Sequence, residues 1–350
     1  MSDKAYDYAV FIGRFQPLHL GHEAIIRKAY EISETPIIIV GSSTASRSLR
    51  NPFSYEERRD MIEGAIEVMY PGIGDAPPET TPYIVRPISD SAYNFHDWLI
   101  RVKSLIKEET RDSIKVALLG HYKDDTEYLN FFPEYDFIPV DSMEGGIGAT
   151  RIREDMFEGK FGTSNRFCSK SVYDTLLKWA DSPEYGELRE EWCFIKNYKE
   201  EWKNAPYPPT FVTTDAVVIC LGYVLLIKRG RHPGKGLYAL PGGFLGQTES
   251  IQRGCIRELK EETKLDTSKR ILEKSIVNTN VFDNPYRDPR GRTITHAFLF
   301  DLDATSLPKI EAADDASEAL WVPLNNLEEV EDKMFGDHSQ IIRYFIHRLS

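Results

Sequence analysis

Two short stretches carry residue types whose spacing could do chemistry. The first is "GRFQPLHLGH" (13–22), directly behind the apolar run "YAVFI". Gly13 permits close backbone approach, and Pro17 stiffens the loop. Gly21 and His22 enter a helix, whose free N–H groups and dipole favour an anion. His19 and His22, three apart, share a face near that helix start. Near neutral pH both can donate hydrogen bonds to phosphoryl oxygens without being strong nucleophiles. The bland alternative is a pair of loop histidines satisfied by backbone carbonyls.

The second stretch is "GGFLGQTESIQRGCIRELKEETKL" (242–265). Glu258, Glu261 and Glu262 fall at i, i+3 and i+4, so a helix crowds them on one face. Like charges there need a positive neighbour. Hard oxygen donors at this density suit Mg²⁺ or Mn²⁺, ions that also bind pyrophosphate. Arg257 would pair with Glu249 and order the loop before the helix. A solvated acidic helix face is the alternative.

Elements must hold these residues in place. The first half alternates short apolar runs with amphipathic helices: "YAVFIG" (8–13), "EAIIRKAYEIS" (23–33), "PIIIVGSS" (36–43), "YEERRDMIEGAIEVM" (55–69), "YIVRPI" (83–88), "DWLIRVKSLIKEE" (97–109), "KVALLG" (115–120) and "YDFIPV" (135–140). That alternation predicts an α/β domain with a Rossmann-like parallel sheet. Ligands then bind beyond the strands' carboxyl ends, at 13–22, 41–53, 89–98, 120–125 and 145–153. The second of these loops offers Arg47 and Arg50. The last offers Thr150, Arg151 and Arg153 ahead of a helix, either a second polyphosphate grip or a solvated basic turn.

From 166 to 204 the text is helical, charged and aromatic, and "APYPPT" (205–210) forms a stiff stop. The expected organisation is a first domain over 1–180, a helical and Pro-rich connector over 181–209, and a second domain over 210–350. In the second, strands "TFVTTDAVVIC", "YVLLIKRG", "SIVNTNVF", "ITHAFLFDLD" and "EALWVPL" accompany helices over "SIQRGCIRELKEETK" and "SQIIRYFIHRLS". This is an α+β or α/β/α pattern.

G-R-F-Q-P-x-H-x-G-H resembles the signature of the HIGH-type nucleotidyltransferases, and more narrowly the archaeal-like nicotinamide mononucleotide (NMN) adenylyltransferases. The likeness spans roughly residues 6–160 and includes Arg50 before "NPF", the series Asp90, Asn94, Trp98, and Thr150 to Arg153. It implies that His19 and His22 steady ATP phosphates in the transition state. Arg14, Arg50 and Arg153 would hold those phosphates, with Gly13, Phe15 and Thr150 in the binding loops. Asn94 and Trp98 would hold the nicotinamide ring; Trp98 is either a stacking platform for a cationic pyridinium or core. One departure is Gly148, where the family usually has serine. The second stretch is similar to the Nudix box, over roughly 210–345. That likeness implies metal ligation by Glu258 and Glu262, with Glu261 a ligand or a base acting through water. Gly243, Glu249 and Arg257 would orient the loop. Lys264 replaces the box's final glycine, which sits at positive φ, at a cost of about 1 kcal/mol. "VFDNPYRDPRGRTITHAFLF" (281–300) resembles ADP-ribose pyrophosphatases, with Arg229 and Arg287 either touching phosphate or ribose or lying as surface charges. Together these imply a bifunctional enzyme that makes NAD from ATP and NMN and hydrolyses ADP-ribose to AMP and ribose 5-phosphate; the alternatives are an adenylyltransferase for another phosphate acceptor with a Nudix domain cleaving a different nucleoside diphosphate, and a Nudix domain that senses a ligand without cutting it.

Bulk properties agree. At about 150 residues per domain, 350 residues give about two. Hydrophobic residues at 41% and charged residues at 28% suit a globular protein with real cores. A net charge of −12 argues against a nucleic-acid groove or anionic membrane as main partner. Cys168, Cys193, Cys220 and Cys255 form no CxxC pair, so cytoplasmic thiols are expected. The N-terminus lacks a signal-peptide h-region, and the greasy 216–227 run is short of the roughly 20 residues needed to span a bilayer. A homo-oligomer is compatible with the sequence.

Overall fold

The computed structural model describes residues 4–72, 83–111, 113, 115–121, 130–141 and 148–347. Contacts divide the chain into two compact units. One holds Met1–Asp90 and Phe95–Arg189; the other holds Ser91–Asn94 and Glu190–Ser350.

The first unit is built on strands β1 (Tyr6–Gly13), β2 (Ser33–Val40), β3 (Ile84–Pro87), β4 (Val116–Gly120) and β5 (Asp136–Pro139). They pair in the order β3-β2-β1-β4-β5, all parallel. Helices are α1 (Leu20–Ile32), α2 (Tyr55–Met69), α3 (Phe95–Thr110), α4 (Ala149–Phe157), α5 (Gly162–Phe167), α6 (Lys170–Trp179) and α7 (Pro183–Glu201), the last running into the second unit. Strands buried on both faces need continuous apolar runs, which is why "AVF" and "PIIIV" lack polar alternation. Val10, Ile37, Ile39 and Leu118 meet Val102 and Ile106 of α3 in one core. Every strand exit therefore opens on the same sheet edge.

The second unit has β6 (Thr210–Cys220), β7 (Tyr223–Arg229), β8 (Tyr238–Ala239), β9 (Gly242–Phe244), α8 (Ile251–Thr263), α9 (Lys269–Lys274), β10 (Ile276–Phe282), β11 (Arg292–Asp301), β12 (Ala316–Pro323), α10 (Leu327–Val330) and α11 (His338–Ile346). The mixed sheet runs β10-β11-β6-β7-β12, with β8 on β7 and β9 on β6; β11 lies parallel to β6. Alternation along β6 explains the layering. Val217 and Ile219 join the core of Ile341, Ile342 and Phe345 from α11, while Ala216, Val218 and Cys220 join Cys255, Ile256 and Leu259 from α8. The sheet is thus sandwiched between α8 and α11.

All four cysteines are free; Cys168, Cys220 and Cys255 are buried and Cys193 is exposed. Burial pushes the Cys168 and Cys255 thiols up to about 12. Among the described residues no helix is long and apolar enough to cross a membrane.

Candidate active sites

In the first unit, β1 ends at Gly13 and the chain turns at once. A Cβ on Gly13 would lie 2.9 Å from the Phe15 ring, so only glycine fits. Phe15 itself takes the left-handed conformation, φ 53°, and is buried. Gln16 staples the loop: its Nε2 donates to Phe53 O (2.9 Å) while its Oε1 accepts from Phe53 N (3.0 Å). His19 caps α1, its Nδ1 accepting from Gly21 N at 3.2 Å. In the neutral ring that leaves the proton on Nε2. His22 stacks on His19 with centroids 3.7 Å apart and packs against Phe15. The two predicted histidines are therefore brought together at a helix N-terminus.

Arginines collect beside them. Arg153 is buried; it donates to Gln16 O (2.7 Å) and Thr150 Oγ1 (3.2 Å). Burial, with the charges of Arg14 and Arg50, pushes its guanidinium down to about 10. Arg14, Arg50 and Arg153 thus share one field, which an anion would relieve. Arg47 is instead engaged, fork to fork, with Glu57 at 2.6 and 2.9 Å. Thr150, Arg151 and Arg153 lie within the first turns of α4, which starts at Ala149, rather than ahead of the helix. Gly148 is its N-cap and supplies no side-chain bond. Trp98 packs against the α3 core and stacks on Phe95, 5.7 Å away. Asn94 packs with the second unit, where Tyr93 of the same segment donates to Asp337. The loops expected over 120–125 and 145–153 fall partly outside the described residues, at 122–125 and 145–147.

In the second unit, α8 presents its acidic residues behind the β9 glycines. Glu262 Oε2 accepts from Gly242 N at 2.8 Å. A Cβ on Gly243 would sit 2.7 Å from the Glu258 carboxylate, so the backbone presses directly onto that group. Burial raises Glu258, and raises Glu262 to about 8. Arg257 donates to Glu249 (2.6 and 3.1 Å), Glu258 (2.9 Å) and Glu261 (2.8 Å), while Gly246 N donates to Glu249. The Arg257 bond holds Glu249 down, to about 2. Among the described residues no three His, Cys, Asp or Glu side chains are gathered as a finished metal cage. A small hard cation needs only one or two protein carboxylates, with waters and phosphate oxygens completing its shell. Two glutamates raised by desolvation, Glu262 buried and Glu258 half-buried, fit such an ion.

Lys264 ends α8 at φ 44°, ψ 29°, the left-handed cap expected of the glycine it replaces. Arg229 lies over the Phe335 ring at 4.3 Å and donates to Pro233 O; the Glu262 and Asp288 charges act on it. Arg287 is neither a surface charge nor turned to solvent. Its side chain is 5% exposed, bonded to Asp337 at 3.0 and 3.1 Å and 3.5 Å from Asp215.

The chain is similar over its whole length to a bifunctional NMN adenylyltransferase/ADP-ribose pyrophosphatase from Francisella tularensis, solved in complex with AMP and a manganese ion. Identity is 36% and the TM-score 0.88, covering 99% of this chain and 100% of that one. The chain belongs to this bifunctional family. The family's two modules are matched separately as well. A cytidylyltransferase-like model matches residues 10–154 and a NUDIX domain model residues 210–345. A nicotinamide/nicotinic acid mononucleotide adenylyltransferase of Acinetobacter baylyi is 33% identical over 188 residues, 53% of this chain and 94% of that protein. An ADP-ribose pyrophosphatase of Methanocaldococcus jannaschii is 38% identical over 135 residues, 39% of this chain and 72% of that protein.

Several residues beside these candidate sites carry little signal in the sequence. Gln16 lies inside the motif, yet its tie to Phe53 spans 37 positions. Asp215 sits mid-strand in β6, its Oδ2 accepting from Thr295 Oγ1 at 2.6 Å and facing Arg287. Arg290, bonded to Asp288, lies over the Phe244 ring at 4.7 Å. The one sequence signal for Asp215 was a lone acid within an apolar run, which must find a buried partner.

Proposed function

We propose that the first unit transfers AMP from ATP to NMN, giving NAD and pyrophosphate, and that the second hydrolyses ADP-ribose to AMP and ribose 5-phosphate. What carries the reading is the pairing, in one chain, of a His–Arg anion site with a glutamate site built on α8. For transfer, the NMN phosphate attacks the α-phosphorus of ATP in line and pyrophosphate leaves. His19, with Nδ1 occupied by Gly21 N–H, has its Nε2–H to donate to a phosphoryl oxygen. Arg14, Arg50 and Arg153 hold the triphosphate and take up its growing charge. Asn94 and Trp98 orient the nicotinamide.

For hydrolysis, Glu258 and Glu262 would hold a divalent cation, Mg²⁺ or Mn²⁺, which when bound supplies a more acidic water and charge neutralisation at the diphosphate. Glu261 would be a further ligand or a base acting through water. Arg257 orders the glutamates and Arg229 meets the substrate's charge. The functional domains we assign are 1–180 and 210–350, joined by 181–209. The substrates are small nucleotides, used in the cytoplasm without nucleic acid or membrane as partner, by a monomer or homo-oligomer.

The test is to incubate the protein with a divalent cation and either ATP plus NMN or ADP-ribose, and to separate products by chromatography. No NAD from the first ends the transferase reading; no AMP from the second ends the hydrolase reading. His19→Ala should remove the first activity and spare the second, and Glu262→Gln the reverse.

A further inference from the structure

Arg58, in the first turn of α2, is the largest fully buried side chain among the described residues, 1% exposed. Among the described residues no carboxylate lies within ion-pairing distance of it. Its guanidinium is spent on main-chain carbonyls instead: Nη1 donates to Gly41 O (2.6 Å) and Arg14 O (2.8 Å), Nη2 to Ser42 O (3.1 Å), and Nε to Ser54 O (3.0 Å). Arg14 and Gly41 stand at the exits of β1 and β2, and Gly41 N also donates to Gly13 O.

Those carbonyls belong to unusual peptides. Phe15, after Arg14, has φ 53°, and Ser42, after Gly41, has φ 51°; both are buried and neither is glycine. A carbonyl lies in the plane of the next residue's N–H, so its direction sets that residue's φ. Arg58 therefore holds both left-handed turns through the peptide planes that define them. The hold extends further. Ser42 donates through Oγ to Asp90 Oδ2 (2.6 Å) and through its backbone N–H to Asp90 Oδ1 (3.2 Å). Asp90 opens the series Asp90, Asn94, Trp98, and Arg14 is one of the phosphate-holding arginines.

We infer that Arg58 is a positioning residue for adenylyl transfer: through the carbonyls of Arg14, Gly41 and Ser42 it fixes the ATP-phosphate loop and the Asp90 loop in one frame. The inference rests on the transferase reading above. A planar guanidinium can reach four diverging carbonyls, whereas a single ammonium cannot. An error of about 1 Å between reacting groups costs about a hundredfold in rate.

The experiment uses the full chain as wild type, Arg58→Lys and Arg58→Ala, with kcat and KM for ATP and NMN, a melting curve, and ADP-ribose hydrolysis as an internal reference. The expected result is a fall of about a hundredfold in kcat per folded molecule for both variants, with each KM within about threefold of wild type. Hydrolysis is unchanged, and millimolar guanidinium ion, but not equal NaCl, restores part of the Arg58→Ala rate. The inference is overturned if Arg58→Lys keeps kcat within about threefold of wild type, if the loss appears wholly in KM, or if it only follows the unfolded fraction at the assay temperature. If Arg58→Ala does not fold, the Arg58→Lys result decides alone. Absence of NAD synthesis in the wild type would sink the transferase reading rather than the role of Arg58 within it.

Discussion

Replacing Lys264 with glycine should stabilise the second unit and leave its chemistry alone. Lys264 is exposed and sits at φ 44°, ψ 29°, where a Cβ crowds the following carbonyl. That conformation costs an L-residue about 1–2 kcal/mol. Glycine removes this strain but frees the unfolded chain, which returns about 0.4–1 kcal/mol. The net gain is about 1 kcal/mol. The turn's bonds do not depend on the lysine side chain. Lys264 N donates to Lys260 O (3.1 Å), Lys260 Nζ donates to Leu265 O and Thr267 O, and Leu265 is fully buried. For a unit of this size the gain corresponds to about 2–4 °C in Tm. Calorimetry of wild type, Lys264→Gly and Lys264→Ala measures it. Alanine keeps the Cβ and the strain, so it controls for loss of the charged chain. If the glycine variant melts no higher than the alanine variant, the left-handed cap is not a strained position and the reasoning fails. ADP-ribose hydrolysis by both should match wild type.

Gly243→Ala drives a methyl to 2.7 Å from the Glu258 carboxylate and should lower hydrolysis at least a hundredfold while NAD synthesis is untouched, read from both product assays on one preparation. Arg257→Lys keeps the charge but loses the fork that gathers Glu249, Glu258 and Glu261, so kcat for ADP-ribose should fall about 10- to 100-fold; a rate within twofold of wild type would count against that role. His338 is buried with Nδ1 accepting from Leu240 N at 2.8 Å, and burial holds its pKa below the ordinary value. The unfolded chain then takes up a proton near pH 6.5 that the folded one refuses, so stability present above that pH is lost as pH falls below it. Between pH 7.5 and 5.5 the wild type should lose about 1 kcal/mol more than His338→Gln in urea titrations; equal losses would contradict it.

Much of this was legible in the sequence for a physical reason. Buried parallel strands must be apolar throughout, so the strand exits of the first unit, and with them His19, His22 and Arg50, could be placed from the runs themselves. The i, i+3, i+4 carboxylates of α8 were as plain. What escaped depended on partners distant in sequence. Arg58 and Arg59 are adjacent in "EERR", yet one is 1% exposed and the other keeps a 40% exposed side chain on the solvent face. Arg287 read as a substrate contact or surface charge because Asp215 and Asp337 lie 72 and 50 positions away. The two-residue β8 and three-residue β9 are too short to leave a periodic pattern, although β9 carries Gly243, the first residue of the box.

The distribution of thiols gives each unit its own reporter of opening. Cys168 is buried in the first unit, Cys220 and Cys255 in the second, and Cys193 alone is exposed. A maleimide added to the folded protein should therefore mark Cys193 first, a single handle for a dye or a surface tether. The slower labelling of Cys168, against that of Cys220 and Cys255, then measures how often each core breathes. Peptide mapping of the modified thiols would follow the two halves separately in the same tube, with no need to cut the chain.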